Sequence, residues 1–307
     1  MSRPLDARDL RLIDAIASGG SLAAAARMLH VSQPTASEHL AALELRMGAR
    51  LVDRGPRGAQ LTELGLLVRE HARDVLARLE RAEADVARHV EYGVSTLRLG
   101  TFPSAGADLV ARAVAELTAS GLHVVLNEAE VPQQLEALAA RTVHAAVIFR
   151  NPADPWPVLD GVIQERLVDD DHLVLLPAGH RAAANPRVAL SDLRGERWIA
   201  APEDDDPSYV TLLDACRNEG FQPVFASRID SFQMTQGLVA AGLGISLLPR
   251  LALNPLRDDV VVRPLAGARV VREIGVAMLS TVAPHLRARV LHALRGAVPA
   301  VALPLAA

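Results

Sequence analysis

The sequence predicts a mixed α+β and α/β chain in three parts: a small helical head, one long helix and a large α/β domain. Three observations predict it. Apolar residues at three- and four-residue spacing fill the first 60 positions. A near-heptad apolar stripe then runs from Leu64 to Val86. Beyond residue 96, β-rich segments alternate with helical ones.

In the head, "LDARDLRLIDAIAS" places Leu10, Ile13, Ile16 and Ala17 at helical spacing, and Gly19-Gly20 stops the helix. Ser21 suits the N-cap of "SLAAAARMLH", where alanines permit close helix packing. After a turn at His30-Val31, Ser32 caps a third helix that reaches about Met47, with Gly48 ending it. "RLVDRGPRGAQLT" then reads as a hairpin around a Gly-Pro-Arg-Gly turn.

The long helix is expected over 63–91. Its apolar positions Leu64, Val68, Ala72, Val75, Leu79, Ala82 and Val86 are spaced 4-4-3-4-3-4, with Arg and Glu on the other faces. At ~1.5 Å per residue the helix spans roughly 40 Å. So long and narrow a stripe needs a partner. A second copy of the helix is the simplest, and packing on its own domain is the alternative. "EYGVST" at 91–96 reads as a hinge.

The remaining chain alternates in order. "TLRLGT" (strand), "AGADLVARAVAELTAS" (helix), "HVVLNEA" (strand), "PQQLEALAAR" (helix) and "HAAVIFR" (strand) come first. "HLVLLPAG", "RWIAAP", "TLLDACRNEG" (helix), "PVFASRI" and "QMTQGLVAAGLG" (helix) follow. "ISLLP", "VVVRPL", "REIGVAMLS" and a final helix "PHLRARVLHALRGAV" close it. Such alternation predicts a covered α/β sheet, as one large sheet or two lobes.

Composition bounds the function. The 307 residues allow two or three domains. All 32 basic residues are Arg, and the net charge is −4. Residues 1–90 carry 13 Arg against 12 acids, so bulk charge alone does not suggest nucleic acid. The single cysteine, Cys216, excludes a disulfide framework or a switch needing two cysteines within one chain. No secretory pattern and no 18-residue apolar run occurs, so a soluble, cytoplasmic protein with no membrane partner is expected.

Placement carries more than composition. At 100° per residue Ala36, Leu40, Leu43 and Met47 of the third helix fall on one stripe, which predicts burial. Gln33, Pro34, Thr35 and Ser37 occupy the opposite side or the first turn, where proline is tolerated. Gln can bond both polar atoms of an adenine edge, and Ser and Thr serve several bases. A preceding helix, a tight turn and this polar-tipped helix read as a helix-turn-helix, with a plain three-helix bundle as the alternative.

Residues 19–65, "GGSLAAAARMLHVSQPTASEHLAALELRMGARLVDRGPRGAQLTELG", resemble the N-terminal domain of the LysR-type transcriptional regulators. The matching features are Gly-Ser before the second helix, Ala25-Ala26, Ser-Gln-Pro with Ser37, Leu43-Glu44, Gly48, Arg54 and Leu61-Thr62 with Gly65. "LVAAGLGISLLP" resembles a late signature of the same family. Ile13 and Val52 stand where Phe is common, as apolar core exchanges.

The resemblance implies a winged helix-turn-helix over 1–62, a dimerising linker helix over 63–91 and a two-lobed, periplasmic-binding-protein-like effector domain over 92–307. Lobe I would take about 96–162 and 268–300, and lobe II about 163–267. Gln33, Pro34 and Ser37 would meet base edges of double-stranded DNA, and Ser32 and Thr35 phosphates or the helix end. Arg54 would lie near backbone phosphate, with Arg57 at the wing tip over the minor groove or simply solvated. Leu64, Val68, Val75, Leu79 and Val86 would form the dimer seam of a homodimer or homotetramer.

A small-molecule effector, by default anionic, would sit between the lobes at strand ends and helix starts. That rule selects Thr101, Phe102, Pro103, Ser104, Glu128, Phe149, Ala201, Pro202, Ser231 and Phe232, with simple capping as the alternative for Ser104 and Ser231. Two Phe there hint at an apolar or aromatic effector. Arg150 is read as a ligand partner or, alternatively, as surface.

RNA polymerase is an expected partner, and the chain is not expected to be an enzyme. No cofactor, metal or catalytic residue is expected. "GLGIS" lacks the third glycine and a preceding first strand for a dinucleotide fingerprint. "DDDH" at 169–172 and "EDDD" at 203–206 read as solvated loops, because consecutive acids cannot all face one ion. The rival class is an enzyme or solute-binding protein on a two-lobed fold with an accessory helical domain, which would show no preference among DNA sequences.

Overall fold

The computed structural model describes residues 4–55, 58–92, 96–267 and 269–298, without the side chains of Arg54, Asp85, Arg88, His89, Glu91 and Tyr92. The chain divides into two compact units, Met1–Gly93 and Val94–Ala307.

The first unit follows the expected element order: α1 (Ala7–Gly19), α2 (Leu22–Met28), α3 (Gln33–Met47), β1 (Val52–Gly55), β2 (Gly58–Leu61) and α4 (Glu63–Tyr92). Local chemistry sets the boundaries. Asp6 and Asp9 form a capping box at α1, and Ser21 and Ser32 cap α2 and α3. Gly20 and Gly48 close α1 and α3 in the left-handed conformation, which glycine adopts without steric penalty. Leu12, Ile13, Ile16, Ala36, Leu40 and Leu43 meet in the core. Met47, expected on that stripe, is instead 37% exposed, because the final turn of α3 runs past the core.

The long helix departs from the expected seam. Val68 and Ala72 are buried in the head's own core, with Leu64 and Leu76 packed against it. Arg69 adds an ion pair to Asp14 of α1 at 3.1 Å. Val68 is therefore taken up within the unit and withdrawn from a seam facing another copy, whereas Leu64 stays half-buried. Farther along, Val75 and Val86 are 50% and 64% exposed, and Leu79 is half-buried. At Gly65 a Cβ would fall 2.1 Å from the Leu51 carbonyl oxygen, so α4 approaches β1 this closely only with glycine.

In the second unit, β3 (Thr96–Thr101) leads through a short helix α5 (Pro103–Ala105) and a π-helical stretch at Gly106–Val110 into α6 (Ala111–Ala119). Next come β4 (His123–Glu128), α7 (Val131–Ala139), β5 (Ala145–Arg150) and the 16-residue β6 (Val162–Pro177). They are followed by β7 (Arg197–Ala200), α8 (Pro207–Asn218), β8 (Val224–Arg228), α9 (Phe232–Ala240) and β9 (Ser246–Pro249). β10 (Val260–Pro264), β11 (Val271–Leu279) and α10 (Pro284–Ala297) complete it.

The strand pairings define two lobes sharing long strands. In lobe I, β4-β3-β5 are parallel neighbours, and β11 lies antiparallel between β5 and β6. Residues 162–171 of β6 pair with β11, whereas 172–177 pair with β10 and β9 in lobe II. The expected crossing near 162/163 thus lies inside a continuous strand and falls near residue 171. "DDDH" belongs to this strand and is not a solvated loop: two-residue alternation turns Asp170 and His172 inward, and Asp169 and Asp171 outward to Arg166 and Arg269. β7 and β8 pair in parallel in lobe II.

Candidate functional sites

In the head, α3 offers an uncharged tip on a rigid base. Gln33, Pro34 and Thr35 are exposed and Ser37 is half-buried. Ser32 accepts the Thr35 backbone N–H at 3.2 Å, and the two hydroxyls are 2.7 Å apart. Ser32 and Thr35 therefore serve the helix end in this state.

Asp9, almost fully buried in α1, fixes the angle of α3 by accepting from Arg46 and bonding His39 Nε2 at 2.8 Å. Glu44 accepts the backbone N–H groups of Leu51 and Val52 at 2.8 and 3.1 Å, which ties α3 to β1. The hairpin pairs Val52 with Leu61 and Gly55 with Gly58, and Ala59 donates to the Gly20 carbonyl at 2.9 Å. Arg54 is in β1 with its side chain outside the described atoms, and Arg57 lies outside the described residues.

The second site is a cavity of about 250 Å³ between the lobes. Phe102, Pro103, Ser104, Phe149, Ala201, Ser231 and Phe232 line it, as expected from their positions at strand ends and helix starts. Three expected residues do not. Thr101 is buried, its hydroxyl donating to the Phe102 carbonyl at 3.2 Å. Glu128 is exposed beyond the wall, and Glu130, two residues on, takes the lining position. Pro202 also lies off the wall, which ends at Ala201 on that segment. Ser231 both lines the cavity and caps α9, accepting from Met234 N–H at 3.3 Å.

Arg272 on β11 is the main residue that sequence reasoning missed. Buried in the cavity wall, it donates through Nε to Asp170 at 2.9 Å and through Nη2 to Ser104 Oγ at 2.8 Å, and Nη2 also lies 2.8 Å from the Asp170 carboxylate as an ion pair. The rings of Phe102 and Phe149, edge to face at 4.9 Å, lie 4.9 and 4.7 Å from its guanidinium. Both expected aromatics therefore hold an arginine of the chain itself.

Burial pushes the Asp170 pKa up, and Arg272 opposes this. Burial also lowers that of Arg272, against Asp170. Nearby His172 is driven down to about 3, first by burial and then by the Arg272 charge. A weak signal existed for Arg272, which with Glu273 interrupts an otherwise apolar strand, but none for Asp170, which stands among Asp169, Asp171 and His172. Arg150 pairs with Glu273 at 2.6 Å and is absent from the lining.

The turns forming the lobe I wall are held from behind. Gln134 Nε2 donates to the carbonyls of Thr101 and Asn127, both at 2.9 Å, and of Ala129 at 3.3 Å. A Cβ on Gly100 would fall 2.0 Å from Gln134 Oε1, so the site admits that amide only with glycine beneath it.

A head with an exposed helix tip, joined in sequence to a two-lobed domain with an interlobe cavity, defines a ligand-responsive DNA-binding protein. Residues 7–66 match the family of bacterial regulatory helix-turn-helix proteins of the lysR type, and residues 92–302 match the LysR substrate binding domain. The chain belongs to the LysR family of transcriptional regulators, DNA-binding proteins with an effector-binding domain.

It is 30% identical to the transcriptional regulator TfdS of Cupriavidus pinatubonensis, over 95% of this chain and 99% of that protein. It is 29% identical to the dual regulator OxyR of Escherichia coli, over 89% and 88%. Full-length CbnR complexed with its target DNA shares the fold at a TM-score of 0.69, with 24% identity over 95% of this chain and all of that one. Among the described residues no helix is long and apolar enough to cross a membrane.

Proposed function

We propose that the chain regulates transcription by placing the Gln33–Ser37 end of α3 in the major groove, with Gln33, Pro34 and Ser37 at base edges. The carrying observation is the exposed, uncharged tip held from behind by Asp9, Ala36, Leu40 and Leu43. Ser32 and Thr35 preserve the helix end beside phosphate, and Arg54 and Arg57 of the wing reach the backbone and minor groove. Binding of labelled DNA from upstream of its own gene, compared with a random fragment across a salt series, tests this. Equal affinity for both at every salt concentration would sink the reading.

The exposed half of α4, with Val75, Leu79 and Val86, supports pairing with a second copy, and two such pairs would make a tetramer on adjacent half-sites. Replacing Val75 and Leu79 by Asp splits the dimer in sedimentation. Persistence of the dimer would place its seam elsewhere. Effector binding between the lobes changes the angle between DNA-binding pairs and so the contact with RNA polymerase, and a DNA bend angle unmoved by effector would count against this. The protein acts in the cytoplasm, as a regulator and not as an enzyme.

Thiol sensing is a different matter. Several relatives are named hydrogen peroxide-inducible genes activators. In this chain Cys216 is buried in α8 and its thiol is pushed up to about 12 by burial, the opposite of what a reactive thiolate requires. The cavity, and not the cysteine, is the place where a signal enters.

A further inference from the structure

We propose that the interlobe cavity selects a small organic cation, a molecule bearing a protonated amine, over a carboxylate. This rests on reading the cavity as the effector site. Three acids line it from both sides: Glu130 from lobe I, ahead of α7, and Asp206 and Asp230 from lobe II, ahead of α8 and α9. Among the described residues the one basic side chain in its lining is Arg272, whose charge is already matched by Asp170 and whose Nε and Nη2 serve Asp170 and Ser104. Counting that pair as neutral leaves a wall with three negative charges.

The lobe II helix starts, which would attract an anion, are also taken. Asp206 accepts the Ser208 and Tyr209 backbone N–H groups at 2.7 and 3.2 Å, and Ser231 serves α9. Nearby Arg228 is drawn off to Asp204 and the Ala201 carbonyl, and stacks on Tyr209. A carboxylate entering here meets like charge from both lobes, whereas a cation relieves it and favours their approach. Glu130 registers this repulsion: its pKa is raised first by burial, then by Asp206 and Asp230.

A separate observation points to a bound polar group. Thr235, only 4% exposed, lines the cavity, and its hydroxyl makes no hydrogen bond among the described residues. Ile199, Leu212, Leu247 and Leu248 supply apolar wall for a carbon skeleton. A volume of about 250 Å³ suits a molecule smaller than drug size. Among the described residues no three His, Cys, Asp or Glu side chains are grouped so as to hold a metal ion.

Calorimetric titration of the full chain with matched probes tests this: butylamine, putrescine and 2-phenylethylamine against butyrate, 3-phenylpropionate, 1-butanol and 2-phenylethanol. At least one amine should bind about tenfold or more tightly than its carboxylate counterpart, the discrimination expected of like-charge exclusion. The double variant Glu130→Gln, Asp230→Asn should lose that preference. Both side chains are exposed and Glu130 makes no capping bond, so the amides leave the fold intact, as melting curves verify.

Equal or tighter carboxylate binding, no binding by any amine, or an unchanged preference in the double variant overturns the proposal. Gel shifts on the same preparations keep two failures apart. Retained operator preference with carboxylate selectivity defeats only the charge assignment, whereas loss of sequence preference defeats the regulator reading beneath it.

Discussion

Asp9 in the head and Asp170 in the effector domain are both almost fully excluded from water, and each accepts from an arginine. Their settings differ. Arg46 keeps part of its side chain in solvent and Asp9 also bonds His39, so the cluster pins one helix against another at the edge of a core. Arg272 is as buried as Asp170, and the two stand beside a cavity, Asp170 on the strand that crosses between lobes and Arg272 on the strand paired with it. One acid holds a surface still so that it can be presented. The other keeps a charge in the interior, where it shapes what may enter.

The comparison can be broken most forcefully at Asp170. Asp170→Ala strands the Arg272 charge and should destabilise the effector domain by about 3–5 kcal/mol in urea unfolding. Adding Arg272→Met to Asp170→Leu should recover most of that loss, since a buried pair barely offsets its own desolvation. A loss below about 1 kcal/mol would mean water reaches the pair.

Asp9→Ala should cost less, about 1.5–3 kcal/mol for hydrogen bonds to charged partners. It should also weaken operator binding while leaving ligand titration of the cavity unmoved, and a change in both would show that the two clusters are not independent. Gln33→Ala, at the tip that Asp9 supports, should weaken specific DNA binding by about 1–3 kcal/mol and spare both stability and non-specific affinity.

Finally, His172 gives the effector domain an acid sensitivity. Its folded pKa lies near 3 against 6.5 when unfolded, so the unfolded chain binds the extra proton between those values. Stability from this group is present above pH 6.5 and is lost on acidification, with a slope approaching about 1.4 kcal/mol per pH unit. His172→Gln should flatten that part of the pH–stability curve.

Element order, the end of α1, the start of α2 and both ends of α3 were legible because caps are local: Gly20, Ser21, Ser32 and Gly48 act on backbone within a turn. Spacing also marked the stripe on α4, but a stripe does not say which surface covers it, so Val68 and Ala72 were open to misassignment. At the cavity, strand-end and helix-start logic found Phe102, Ser104 and Ser231. It could not find Arg272 or its bond to Asp170, partners 102 positions apart whose meeting depends on the β6–β11 register. Asp9 was illegible for the same reason, with its partners Arg46 and His39 on another helix.

β6 runs unbroken from one lobe to the other, and β11 begins beside its crossing point. No slack loop separates the lobes along this route. Opening and closing must then be absorbed as torsion spread along shared ladders, as in a leaf spring, so that even a modest wringing of the strands near residue 171 would move the Asp170–Arg272 pair along with the walls it supports.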